Sequence, residues 1–252
     1  MNLRIASWNI AGGRQMRSYG QFDYLPEDIS YFADQLKQQS LDIVCLQESH
    51  SNSVRSLSQL MAKYMNYEFV FDVPHNKSHI DADYDLTLSI ISRMPFSEQM
   101  ILDLPNPNFV KNFYDGRQYH SFDEKIQCVN VGGIYVANSM FLPVGIFGEE
   151  YDSSKNIGYK TKIEAVLLKL PKPLIFCADM NFDNPELIYA EFFRIFQVKN
   201  ALGQEITRPV TAERGSRPDK ILFTPKFDLI NQKVIKANTD HWLCVAQLEV
   251  KG

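Results

Sequence analysis

Short runs of aliphatic and aromatic residues, each closed by a polar cluster or a turn residue, recur along the whole chain. Leu3–Ile10 ends at Ala11-Gly12-Gly13, which predicts a strand followed by a sharp break. From Pro26, the apolar residues Ile29, Phe32, Ala33 and Leu36 fall at i, i+3, i+4 and i+7 and predict a helix, with Glu27 and Asp28 in its first turn. Leu41–Glu48 reads as a buried strand that ends in a carboxylate. Val54, Leu57, Met61 and Tyr64 then space out a second amphipathic helix. Strands are predicted near 67–73, 86–92, 97–103, 125–131 and 133–139, while KTKIEAVLLKL (160–170) fits a strand or a helix equally. PLIFCADMN (173–181) predicts a strand with a polar end, and PELIYAEFFRIF (185–196) a helix from Pro185. DKILFTP, a run near 228–236 and HWLCVAQLEV complete the strands; 105–124, 144–158 and 200–217 read as irregular.

This is a strand-heavy α/β pattern whose hairpin-like spacing argues against a purely parallel sheet. No GxGxxG follows the first strand and no GxxxxGK[ST] occurs, so nucleotide-cofactor readings fall away. With 252 residues, 45% of them hydrophobic, the chain holds enough apolar material for one large core, and residues 1–252 are expected to form a single domain. Lys and Arg number 26 against 30 Asp and Glu, a net charge of −4. Binding to nucleic acid through bulk positive charge is therefore disfavoured; a phosphate-rich ligand needs a local basic patch or a bound cation. Cys45, Cys128, Cys177 and Cys244 each lie in or beside an apolar run with no CxxC pairing, and read as small core residues. No apolar stretch reaches 18 residues, so no membrane span is expected. A reduced, cytoplasmic location is the expectation.

The chemistry collects at strand ends. Asn9 closes IASWN, Glu48 closes IVCLQE, Asp179 and Asn181 close LIFCADMN, Asp219 opens DKILF, and Asp240 and His241 precede WLCVAQ. Strand ends on a rigid core can fix reacting groups in space. Glu48, Asp240 and the amide oxygen of Asn9 suit a hard, oxygen-seeking cation such as Mg²⁺, with Mn²⁺ as a substitute. Asp179 is the candidate to orient or deprotonate a water, and Asn181 to donate a hydrogen bond to a phosphoryl oxygen. His241 is expected to be oriented by Asp219. Together these are the parts needed to hydrolyse a phosphate ester.

In order, SWN (7–9), LQE (46–48), ADMN (178–181), RPDKIL (217–222) and TDHW (239–242) resemble the five signature blocks of the endonuclease/exonuclease/phosphatase superfamily, the group containing DNase I. The resemblance implies a four-layer sandwich, two mixed β-sheets packed face to face with helices outside. It implies that Asn9 and Glu48 bind metal with Asp240 close by, that Asp179 positions the attacking water, and that Asn181 holds the phosphate. His241, paired with Asp219, would contact the phosphate as a general base or transition-state stabiliser.

Two positions depart from the pattern. VANSMFLP (136–143) resembles a strand that usually carries Asn-Thr-His-Leu, and Met140 stands where the histidine is expected. A thioether is a weak acceptor and cannot donate a proton, so Met140→His is expected to raise turnover. Asp85 is the carboxylate such a histidine would pair with. Ala11, in turn, occupies a position that is acidic in the abasic-endonuclease branch.

The expected function is a Mg²⁺-dependent phosphoesterase acting on phosphodiesters, with DNA or RNA slightly preferred. A small phosphorylated molecule or phospholipid head group is a further substrate class, and a binding protein that kept the fold without turnover is the alternative. Arg14, Arg17 and His50 are candidate substrate contacts. Lys155, Lys160, Lys162 and Arg208, Arg214, Arg217 divide evenly between phosphate contact and solubility. Tyr19, Phe22, Tyr24, Phe113, Tyr114 and Tyr119 are candidate stacking or core-covering aromatics. His75, His79, Asp81, Asp83 and Asp85 read as a solvated loop, and His120 as a loop histidine without function.

Overall fold

Alternation along the first strand already sorts the layers. In β1 (Asn2–Asn9), Leu3 and Ile5 pack into one apolar cluster, and Ala6 and Trp8 pack into another on the opposite face. The structure is a computed structural model that describes residues 1–18, 23–112, 118–211 and 214–252. After β1 come β2 (Arg14–Met16), β3 (Tyr24–Glu27), α1 (Ile29–Lys37), β4 (Ile43–Ser51) and α2 (Leu57–Met65). Next are β5 (Phe69–Lys77), β6 (Asp85–Ser92), β7 (Glu98–Asp103), β8 (Val110–Asn112) and β9 (Gln118–His120). β10 (Lys125–Val131), β11 (Ile134–Met140), α3 (Ile157–Leu167), β12 (Leu174–Asp179), α4 (Pro185–Ile188) and α5 (Ala190–Phe196) follow. The chain ends with β13 (Lys199–Asn200), β14 (Arg208–Pro209), β15 (Gly215–Ser216), β16 (Asp219–Phe223), β17 (Phe227–Ile235) and β18 (Leu243–Val250).

Two six-stranded mixed sheets form, ordered β17-β18-β1-β4-β6-β5 and β13-β16-β12-β11-β10-β7. β1 runs parallel to β4, and β11 parallel to β12; their other neighbours are antiparallel. The sheets meet through Leu3, Ile5, Ile43 and Ile90 on one side and Val129, Val136, Ile175 and Ile221 on the other. Phe32 and Leu36 of α1 and Leu57 and Met61 of α2 cover the outer face of the first sheet, against Trp8, Val44, Leu46 and Ile91. Ile163 and Leu167 of α3 and Phe192 and Phe196 of α5 cover the second, against Leu174, Phe176 and Leu222. This is the expected order of layers. All four cysteines are buried and free, as their apolar settings suggested. No helix among the described residues is long and apolar enough to cross a membrane.

A belt of amides ties the sheets together at mid-height. Gln47 Nε2 donates to Asn138 Oδ1 at 2.7 Å and to Ser7 Oγ at 3.2 Å. Asn138 Nδ2 donates to the carbonyls of Leu46 and Ser89 at 2.9 and 3.1 Å, and Gln127 Nε2 to that of Phe71 at 2.6 Å. Truncating one member strands its partners in the core at a cost of about 1–3 kcal/mol for each unsatisfied group. Asn138→Ala should thus lower the midpoint of thermal unfolding by on the order of 10 °C, as read by calorimetry.

Several local expectations are corrected. Pro26 and Glu27 lie in β3, paired to β2, and α1 begins only at Ile29. Asp28 is its cap, accepting the N–H of Tyr31 at 3.0 Å, and Glu27 instead pairs with Arg55. Val54 and Tyr64 are exposed, so the buried face of α2 is Leu57, Met61, Ala62 and Met65. The ambiguous run at 160–170 lies mostly in α3. The helix from Pro185 breaks at buried Tyr189 into α4 and α5, because Glu164 of α3 caps α5 by accepting the N–H groups of Glu191 and Phe192. The stretches read as irregular contain the β8–β9 and β14–β15 hairpins.

Candidate active site

One end of the sandwich gathers the strand-end polar residues. In the second sheet Asp219 lies opposite Asp179, and Asp179 opposite Met140, so three neighbouring strands present three site positions in a row. In the first sheet β1 brings Asn9 beside Gln47 of β4. Strict alternation would send Glu48 with Val44 and Leu46 toward the helices. A bulge prevents this: three steps on β4, from Leu46 to Ser49, face two on β6, and Glu48 sits at φ 47°. The extra residue turns its carboxylate toward Asn9.

The side chains then meet. Asn9 Nδ2 donates to Glu48 Oε1 at 2.9 Å and to Asp179 Oδ2 at 3.1 Å, joining the two sheets. Asn9 Oδ1 accepts the N–H of Ala11 at 3.1 Å, which closes the turn after β1. Gly12 within that turn has φ 67°, and a Cβ there would lie 2.2 Å from the ring of His50, so only glycine fits. His241 Nδ1 donates to both oxygens of Asp219 at 2.9 and 3.0 Å, and its Nε2 stands 3.7 Å from Asp179 Oδ2. Trp8 Nε1 and the Thr239 hydroxyl both donate to the His241 carbonyl, fixing the loop before β18. The backbone N–H of Asn181 donates to Asp179 Oδ1 at 3.0 Å, and its side-chain amide to the Phe141 carbonyl at 2.7 Å.

Electrostatics follow from burial and crowding. Burial pushes the carboxyl of Asp179 up while the charge of His241 pulls it down, leaving it raised. Asp240 is raised for the same reason. Burial alone would depress His241, but Asp219, Asp179 and Asp240 together lift it to about 10. The imidazole is therefore cationic at neutral pH.

Asp240 accepts from the hydroxyl of Tyr24 at 3.3 Å, and its Oδ1 is buried with no hydrogen-bond donor among the described residues. That orphaned oxygen, with the Glu48 carboxylate across from it, is the donor set a hard divalent cation takes, so the residues present fit one. Asp179, Asp219 and His241 also place ligand atoms within 4.8 Å of one another.

Other candidates fall elsewhere. His50 is buried, bonded to Ser78 Oγ at 2.8 Å and stacked on Tyr84, and burial lowers it to about 4. It props the turn after β1 and is closed to substrate. Arg14 pairs with Asp81 at 2.9 Å, and Arg17 with Asp23 at 3.1 Å on the exposed surface. Lys155 pairs with Glu149 and Arg217 with Asp183, whereas the charge of Arg208 acts on Asp179, Asp240 and Tyr24. Asp85 pairs with Lys77 at 2.6 Å rather than standing behind position 140. Met140 itself is buried among apolar side chains. Tyr119 stacks on Phe147; Tyr19, Phe22, Phe113 and Tyr114 lie outside the described residues. The loop expected to be solvated is so in part: His79 and Asp83 are exposed, with His79 Nε2 3.9 Å from Glu48, whereas His75 lies in β5 and pairs with Glu124 in the interior.

The model of the Endonuclease/Exonuclease/phosphatase family matches residues 6–241, from the first strand to the His241 block. The chain belongs to that family. A DNA-(apurinic or apyrimidinic site) endonuclease of Dictyostelium discoideum is 23% identical over 187 residues, 73% of this chain and 43% of its own length. The chain thus spans less than half of that relative. An endonuclease/exonuclease/phosphatase from Beutenbergia cavernae matches all of this chain and 72% of its own, with a TM-score of 0.73 at 16% identity. ANGEL2, a 2′,3′-cyclic phosphatase solved with adenosine-2′,3′-vanadate, matches 99% of this chain and 96% of its own, with a TM-score of 0.66 at 11% identity. Members of the family are phosphoester hydrolases, and these structures share its DNase I-like fold.

Proposed function

We propose that the protein is a Mg²⁺-dependent phosphodiesterase with a nucleic acid strand as the preferred substrate. The observation that carries the phosphoesterase reading is Asp179, buried between the Asn9 amide and the His241 imidazole, where a water held on its carboxylate would face a phosphorus atom. The relative from Dictyostelium discoideum, named for its action on DNA, supports the nucleic-acid preference. Buried Ala11 supplies no carboxylate, which weighs against abasic sites in particular.

In this reading Asp179 accepts a proton from water as its oxygen attacks phosphorus. The bond from phosphorus to the ester oxygen breaks, and that oxygen leaves with a proton from solvent or the site. His241, cationic and held by Asp219, donates to a phosphoryl oxygen as its charge grows. The second N–H of the Asn181 amide does the same, since only one is used on Phe141. Arg208 adds positive charge over the same region. Glu48, Asp240 and Asn9 would hold the divalent cation, which draws negative charge from the phosphoryl oxygens. The four buried, unpaired thiols support a reducing, cytoplasmic setting.

A second substrate reading has its own support. A cavity of about 470 Å³ opens beside Asn181, walled by Phe182 and rimmed by Glu149, Glu150, Asp152 and Asp183. Lys155 offsets Glu149 and Arg217 offsets Asp183, so the charge on this wall comes from Glu150 and Asp152; it disfavours a continuing polyanion and favours a compact phosphate ester whose remaining part is uncharged.

A panel of single-stranded DNA, RNA, abasic duplex, cyclic nucleotide and small diesters and monoesters separates these readings. Hydrolysis should vanish in EDTA and return with Mg²⁺ or Mn²⁺. Metal-independent turnover, or none on any ester, would reject the proposal. Met140→His should raise kcat by about 10-fold or more if a donor is missing there. Unchanged kcat would show that position 140 needs none.

A further inference from the structure

His75 and Glu124 form an interior ion pair that the mechanism above leaves unused. His75 Nδ1 lies 3.1 Å from Glu124 Oε2, with side chains 0% and 3% exposed. Neither ring nitrogen and neither carboxylate oxygen makes a well-aligned hydrogen bond among the described residues. Lost hydration largely cancels the attraction of a buried pair, so such a pair contributes little to stability.

Its place in the fold ties it to the site. β6 is flanked by two bulges at one level. On β4 the extra residue falls between Leu46 and Ser49, opposite Ser89 and Thr87; on β5 it falls between Pro74 and Asn76, opposite Thr87 and Leu86. The first bulge aims Glu48 and the second carries His75. In the facing sheet the row Asp219, Asp179, Met140 continues onto β10, whose Ile126 lies opposite Ser139, so that Glu124 follows just beyond the strand end. By that register Lys125 stands opposite Met140 and Glu124 one step past it, so that an imidazole from the opposite sheet lies at either flank of the row: His241 on Asp219, and His75 on Glu124 just beyond the other end. Met140, packed with Val73, Leu88 and Phe122, is the apolar spacer between them.

The pair also feels the site's charge. Burial lowers His75, but Glu124 and then Glu48 raise it above its ordinary value. Burial, opposed by His75 and reinforced by Glu48 and Asp179, brings Glu124 to about 7.

We propose that His75 and Glu124 belong to the site as a second imidazole–carboxylate pair, a positioning pair that acts through Glu48 from the flank opposite His241. Pinned in the bulge on the other side of β6, the pair braces the bulge that turns Glu48 and so holds that carboxylate aimed at the cation. The inference rests on the metal-dependent reading given above.

Histidine-ring NMR of the full chain, with and without saturating Mg²⁺, tests it independently of turnover. The ring signals of His241 and His75 should both move, while exposed His120 stays still. Glu124→Gln should abolish the His75 response and spare that of His241. In hydrolysis assays, His75→Gln and Glu124→Gln should each lower kcat about 10- to 100-fold with little change in KM. Met140→His should raise kcat by a larger factor in the His75→Gln background than in the native chain, because it returns an imidazole to that flank; a purely structural defect would leave the two factors equal. If His75→Gln does not fold, Glu124→Gln, matched in shape, carries the test. A His75 signal that stays fixed while His241 moves overturns the pair's role and leaves the phosphoesterase reading intact. Silence of both histidines sinks the metal site and the pair with it.

Discussion

Asp179→Asn should abolish most hydrolysis, lowering kcat by about 10³–10⁴, at the upper end of what a positioned acid–base group supplies. Asparagine keeps the shape and can still accept the N–H of Asn181, but it cannot take a proton from water. It also removes a charge that holds His241 cationic. Because Asn9 donates to Asp179 in the native chain, the variant can turn its amide and keep one such contact. Thermal unfolding should therefore move little. Steady-state kinetics at saturating Mg²⁺ read the first effect and calorimetry the second. A variant retaining more than a tenth of native kcat would remove Asp179 from the reaction, whatever role the rest of the cluster plays.

His241→Gln should cost about 10²–10³ in kcat, the usual loss when a charged donor to a developing oxyanion is deleted. Asp219→Asn should cost nearly as much, since it takes the partner from Nδ1. The double variant should be scarcely worse than the poorer single one, because the two act as a unit. The pH profile distinguishes this from a simple loss of packing. Asp219, Asp179 and Asp240 hold the imidazole protonated up to about 10, so the alkaline limb of native activity belongs to His241, while Asp179, which must be ionised to take a proton, sets the acid limb. Asp219→Asn removes an attracting negative charge, hence the alkaline limb should shift to lower pH. An unchanged alkaline limb would show that His241 does not act as a cation.

The row of groups from the second sheet was legible in the sequence because it obeys plain alternation. Asp179 follows Ile175 and Cys177 on the inward face of β12, and Asp219 precedes Ile221 on that of β16. Asn9 continues the parity of Leu3 and Ile5. The pairing of His241 with Asp219 was likewise anticipated by the family resemblance.

What escaped depends on broken alternation. A bulge shows no composition of its own, so FDVPHNK gives no sign that His75 turns inward while Pro74 faces out. His75 and His79 sit near four carboxylates in the chain and look like loop residues. For His75, only the paired strand, counted residue against residue, shows otherwise. Glu124 lies in a stretch that periodicity marks as irregular, and its partner is far away in sequence. Arg17 and His50 both follow a site block closely, yet one pairs with Asp23 at the exposed surface and the other is buried behind Gly12. Nearness along the chain says little once a strand has ended.

The belt of Gln47, Asn138 and Gln127 has a consequence for every such measurement. Its members are primary amides, which neither gain nor lose protons between mild acid and mild base. The spacing of the two sheets, and with it the gap that Asn9 bridges, is thus set by groups blind to acidity. A titration curve recorded on this protein will report the reacting carboxylates and imidazoles and the His75–Glu124 pair that joins the sheets, over an amide belt that does not itself titrate.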